Sequence, residues 1–182
     1  NGLNYDFAAA RISADDLNLD TTFAGNGQTS FDLGQRQDDM PYDTRITSNG
    51  DIILAGSSEL SAGISDVALA VLDSSGSLKT SIGTGGIVII DADGDNGAQT
   101  GNSAALSLTL DSSDNMFIGV QFGITATEQD FGVSKLSASG TLDNTFASNG
   151  TVIQDINNDS NTLVSVMLDS SNRPVAATSA QG

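Results

Sequence analysis

Short apolar runs in which hydrophobic residues stand side by side recur along this chain: Ile52-Ile53-Leu54-Ala55, Ile87-Val88-Ile89-Ile90 and Met116-Phe117-Ile118. A strand with one wet face would alternate, and a buried helix would need a longer run. The pattern therefore predicts strands covered on both faces. No segment shows a helical period, and 20 Gly argue further against helices. Between the runs stand Ser48-Asn49-Gly50, Ser112-Ser113-Asp114-Asn115 and Ser170-Ser171-Asn172-Arg173, clusters that tolerate positive φ and so predict tight hairpins.

The pattern repeats. Asp6–Gly27, Asp66–Gly86 and Asp130–Gly150 share a leading Asp, an apolar run, a polar turn, then Leu and a glycine-ended loop; Leu19, Leu78 and Leu142 stand 59 and 64 residues apart. A period of that size marks a repeated supersecondary unit. Four strands are predicted per repeat. The first covers Phe7–Ile12, Val67–Leu72 and Phe131–Leu136, and the second Gln28–Leu33, Ile87–Ile90 and Thr151–Ile156. The third covers Asp43–Thr47, Ala105–Leu110 and Leu163–Leu168, and the fourth Asp51–Gly56, Met116–Val120 and Val175–Ala177.

Four-stranded units apolar on both faces stack as β-propeller blades. The expectation is an all-β chain of propeller-like blades of four antiparallel strands: a half unit, two whole units and a half unit. A β-solenoid or an irregular sandwich is the alternative. The copies fall at about 6–56, 66–120 and 130–177 of one repeat domain, read as part of a larger ring or assembly. Phe23 and Phe146 suit plugs between sheets, and Tyr5 and Tyr42 suit blade edges.

Charge narrows the partners. Six Lys+Arg stand against 23 Asp+Glu, a net charge of −17, which repels nucleic acid and anionic membranes and favours divalent cations. Only two of the acids are Glu (Glu59 and Glu128), and Asp is the residue of turns and hard-cation loops. Cys and His are absent, so no disulfide frame, thiolate site or Ser-His-Asp triad can form. No apolar run reaches the length of a membrane span. The chain opens on Asn1 without a signal-like segment, which suits a processed or excised form.

The sharpest chemical candidate is Asp91-Ala92-Asp93-Gly94-Asp95-Asn96-Gly97. Asp91, Asp93 and Asp95 at alternate positions of a turning loop can converge on calcium, although the twelfth position is Asn102 where an EF-hand has Glu. Asp155, Asn157 and Asp159 form a weaker echo, whereas Asp32 and Asp38-Asp39 in the first copy lack the spacing. A solvated acidic turn is the competing reading. Asp15-Asp16 and Asp38-Asp39 could suggest a glycosidase pair, but adjacent carboxylates in turns need not face one cleft, and Trp is absent. Gly83-Thr84-Gly85-Gly86 closes a loop and is followed by no phosphate-binding Lys. The chain reads as non-catalytic.

The repeated residues resemble the delta-sixty tandem repeat family of bacterial exported and surface proteins. The first copy carries Asp6-Phe7, Arg11 and Leu19-Asp20-Thr21-Thr22-Phe23-Ala24-Gly25-Asn26-Gly27. The third carries Asp130-Phe131, Lys135, Gly140 and Leu142-Asp143-Asn144-Thr145-Phe146 through Gly150, and Asn49-Gly50-Asp51-Ile52 through Gly56 matches the family's later hairpin. The middle copy departs, with Lys79 for the Asp and Ile82 for the Phe, and Arg173-Pro174 replaces the usual last turn. The resemblance implies a propeller-like repeat, secreted or on the cell surface, with no catalytic residues to carry over. Two functions are expected: a non-catalytic module that holds a glycan, a surface protein or a surface through its loops, or a subunit that completes its half units with other copies of itself, or the rest of a longer chain, in a filament or layer.

Overall fold

The apolar runs become the middle strands of two four-stranded antiparallel sheets. The computed structural model describes residues 4–34, 37–61, 64–92, 102–123, 129–147, 149–157 and 160–180. Strands β1 (Phe7–Ala10) and β2 (Gln28–Phe31) pair alone. One whole sheet holds β3 (Asp39–Ile46), β4 (Ile52–Ser61), β5 (Ile64–Leu72) and β6 (Ile87–Ile90) in sequence order. The next holds β7 (Asn102–Leu110), β8 (Met116–Gly123), β9 (Gln129–Leu136) and β10 (Thr151–Gln154), and β11 (Asn161–Leu168) pairs with β12 (Pro174–Ala180). This is a half blade, two whole blades and a half blade, all-β, with no helix among the described residues and no closure of the sheets into a ring.

Strand pleating sends alternate residues to opposite faces, and in the whole blades both faces are dry. In the first blade Ile53, Ala55, Val67, Leu69 and Val71 meet Leu108, Met116, Ile118, Val120 and Phe122 of the second. Their neighbours Leu54, Ala68, Ala70 and Leu72 face the other way, onto Phe7 and Phe23. From the second blade Phe117 and Val133 face Val166 of β11. Consecutive hydrophobics thus serve two different cores.

Two expectations need correction. The run Ile87–Ile90 is covered on both faces only in part: it forms the outer edge strand β6, and Ile89 is 41% exposed. The third strand of the first repeat begins at Asp39, four residues before the expected Asp43, because its Asp39-Met40-Pro41 segment pairs with Gly56, Ser57 and Ser58 of a longer β4. Polar residues in that stretch hide a strand from a hydrophobicity reading.

Each third strand carries an irregularity at the same place, between Pro41 and Asp43, Ala105 and Ser107, and Leu163 and Ser165. Each following hairpin turn has a residue at positive φ in register with the others: Gly50, Asp114 and Asn172, at 85°, 60° and 58°. Gly, Asp and Asn are the residues that accept this geometry at least cost.

Leu69 is fully buried between the two whole blades. Leu69→Ala is expected to cost about 2–5 kcal/mol in urea unfolding. Met167→Ala, at a position 68% exposed, is expected to change stability by no more than about 0.5 kcal/mol.

Candidate functional site

Most acid described in the turns is committed to folding. Asp20 Oδ1 accepts hydrogen bonds from the amide and hydroxyl of Thr22, Asp73 Oδ1 from those of Ser75, and Asp143 Oδ1 from those of Thr145. Asp111 and Asp169 receive the amides of Ser113 and Ser171 in the same way. Such side-chain turns are the local use for which Asp is favoured. The bonds favour the charged form. The Lys135 ammonium and Thr145 hold the Asp143 carboxyl down at about 2, and Thr22, with a smaller contribution from Arg11, lowers that of Asp20.

The described basic residues are committed too. Arg11 pairs with Asp20 at 2.8 Å and Lys135 with Asp143 at 2.7 Å, equivalent pairs in the first and third copies. The middle copy has Val71 where those copies have Arg and Lys, and there Lys79 replaces the Asp and pairs with Asp51. Its departure from the repeat pattern is therefore a rewired ion pair. Arg11 also lies over the Phe23 ring, 5.1 Å from its centre, and donates to the Ser74 carbonyl of the next repeat.

Other polar groups tie blade to blade. Asp43 Oδ2 accepts from the Leu108 amide at 2.8 Å, and Ser107 Oγ, the equivalent atom one repeat later, accepts from the Val166 amide at 3.0 Å. Ser48 donates its amide and hydroxyl to the Asp114 carboxylate of the next hairpin turn. Phe23 packs on Gly76 of the following repeat, and Ile82 on Gly140 of the one after, with no room for a Cβ at either glycine. The expected plugs are in place: Phe23 is 1% exposed, and half-buried Phe146 meets Phe117 edge to face, ring centres 6.0 Å apart. Tyr5 and Tyr42 are exposed.

Of the loop residues expected to bind calcium, Asp91 is half-buried directly after β6, while Asp93 and Asp95 lie outside the described residues. Asp155 and Asn157 are exposed, with Asp155 Oδ1 accepting from Asn161 Nδ2 at 3.4 Å, and Asp159 lies outside the described residues.

The described carboxylates that converge are a different set. Asp6, Asp32 and Asp39 each place an oxygen within 4.8 Å of the others. Asp6 precedes β1, Asp32 follows β2, and the pairing of Phe7 with Phe31 sets the two side by side. Asp39 opens β3, 1% exposed, and its backbone N–H donates a hydrogen bond to the Tyr5 carbonyl. Burial pushes its carboxyl above the usual range, and the charges of Asp32 and Asp6 add to the rise. None of the ion pairs among the described residues involves the three.

The sequence held a signal for this set in the phase of the repeat. Asp66 and Asp130 occupy the Asp6 position, and Asp91 and Asp155 the Asp32 position, as the pairings Val67 with Ile90 and Phe131 with Gln154 show. At the Asp39 position, two residues before each irregularity, stand Ser103 and Asn161. Starting the third strand at Asp43 left Asp39 in a loop and concealed the third carboxylate.

A further cleft on the outer face of β1 and β2 is lined by Ala8, Ala9, Ala10, Asn26, Gln28, Thr29 and Ser30, without a charged group. Residues 112–146 match the family model described as "Domain of unknown function (DUF5122) beta-propeller", a span running from the β7–β8 turn through β9 to Phe146. No curated protein and no solved structure matches the chain significantly. The fold and this match define a propeller-like repeat, compatible with a non-catalytic structural or interaction module.

The depressed carboxyls fix the acid response. A carboxyl lower in the fold than in the unfolded chain contributes stability that is complete above the unfolded value of about 4 and lost as pH falls through the folded one. The melting midpoint is expected to drop between about pH 4 and pH 2, by calorimetry. In Lys135→Ala the Asp143 carboxyl is expected to titrate upward, towards about 3.9, in carbon-detected NMR.

Proposed function

We propose that the chain is a non-catalytic interaction module of an exported protein, in which stacked blades hold loops against a glycan or a surface protein. One observation carries this reading. Most of the described charged side chains of the turns are spent, at equivalent positions of successive copies, on local turns and on blade-to-blade links. A scaffold that uses its ionisable groups this way leaves variation to its loops, and loops held by a rigid frame are where binding resides. The resemblance to delta-sixty repeats supports export and the absence of a catalytic set.

A second reading rests on the half blades. The outer face of β11 and β12 shows Val164, Met167 and Val175 at 65%, 68% and 59% exposure, and that of β1 and β2 shows Ala8, Ala10 and Ser30. A large apolar face opposite a small one suits stacking of one copy on another, or on further blades of the same chain, as in a filament or layer.

Array binding combined with light scattering separates the readings. Saturable retention of one class of glycan or surface protein, by a particle whose mass stays constant with concentration, is expected for the interaction module. Mass that grows with concentration, and returns to that of one chain in Val164→Asp/Met167→Asp, would favour the assembling subunit instead.

A further inference from the structure

We propose that Asp6, Asp32 and Asp39, with the Ser58 hydroxyl, form a binding site for a hard divalent cation of the calcium class, at the junction between the first half blade and the first whole blade. The site is distinct from the Asp91 and Asp155 loops. Calcium takes six to eight oxygen ligands at about 2.3–2.6 Å, so ligands on opposite sides of one ion stand about 4.6–5.2 Å apart. The three carboxylates already hold oxygens within 4.8 Å of one another, inside the span of one coordination sphere.

Their orientation is set by the chain. Asp6 Oδ1 accepts from Asn4 Nδ2 at 3.1 Å, Asp32 Oδ1 from the Gly34 amide at 2.6 Å, and Asp39 Oδ2 from the Leu33 amide at 2.8 Å. Each carboxylate is thus oriented by a hydrogen bond to one of its oxygens. Like charges this close repel, and a cation between them converts repulsion into attraction.

Ser58 supplies the independent sign. It stands directly opposite Asp39 in the β3–β4 pairing and is 1% exposed, and its Oγ is buried without a hydrogen bond of normal geometry. It nevertheless lies near enough to the Asp39 carboxyl to favour the charged form. A buried hydroxyl with no such bond is uncommon and costly, and one against the Asp39 carboxyl is accounted for by a cation that the two share. The equivalent pair in the second blade is Ser103 opposite Phe122, which lacks both the third carboxylate and the hydroxyl partner. Among the described residues, three converging carboxylates stand at the first junction.

The test is calcium titration of the full chain by calorimetry and thermal melting. Binding at one site with a Kd of about 10⁻⁴–10⁻³ M is expected, the range of extracellular modules. At a hundredfold excess over Kd the midpoint should rise by roughly 5–10 °C, and by less with magnesium. Asp6→Asn/Asp32→Asn, at exposed positions, should melt without calcium no lower than the native chain and lose the calcium shift. Asp93→Asn/Asp95→Asn and Asp155→Asn should keep it. Ser58→Ala should weaken binding severalfold. The proposal is overturned if calcium moves nothing in the native chain, if the shift survives Asp6→Asn/Asp32→Asn, or if it disappears with Asp93→Asn/Asp95→Asn.

Discussion

Everything in this molecule depends on sheets that are apolar on both sides. Leu69 and Ala70 are neighbours in the chain, both fully buried, yet they belong to different cores. Each large side chain removed from water contributes about 1.5–3 kcal/mol. A blade collects that term twice along a single strand, but only while it has a sheet on either side. Stability therefore resides in the interfaces between units more than within any unit, as in other repeat proteins. The polar links follow the same rule. Asp43 and Ser107 each satisfy an amide of the adjacent blade, at the place where that strand's own pairing is interrupted.

The acidity of the chain has a physical division of labour. Asp20, Asp73 and Asp143 stabilise turns by accepting local hydrogen bonds, and their carboxyls are lowered accordingly. Asp39 has the opposite environment: burial and two neighbouring acids raise its carboxyl. Two acids of one sequence thus differ in direction because one sits in a wet turn and the other at a closed junction. Net charge alone would assign both to solvation.

The architecture was legible because its signals are local and repeated. Runs such as Ile52–Ala55 announce two-faced burial, and the spacing of Leu19, Leu78 and Leu142 announces the unit. The glycines that close the loops explain that Leu: Gly27, Gly86 and Gly150 each press against it, and a Cβ would stand 2.4–3.0 Å from its side chain. What was not legible is how three distant segments meet. The motif Asp91-Ala92-Asp93-Gly94-Asp95 draws the eye because its acids are close in sequence, whereas Asp6, Asp32 and Asp39 come together only once β1, β2 and β3 are placed. The middle copy's Lys79 breaks the pattern in sequence, and only the fold brings it to its partner Asp51.

The links from Asp43 to Leu108, Ser48 to Asp114 and Ser107 to Val166 span 65, 66 and 59 residues, and none skips a unit. Among the described residues no such link ties distant units, so under tension applied at its ends the units would yield one at a time. The chain would pay out slack in parcels of about 60 residues, roughly 200 Å of extended backbone apiece. Architecture of this kind is suited to absorbing a sudden load by lengthening stepwise.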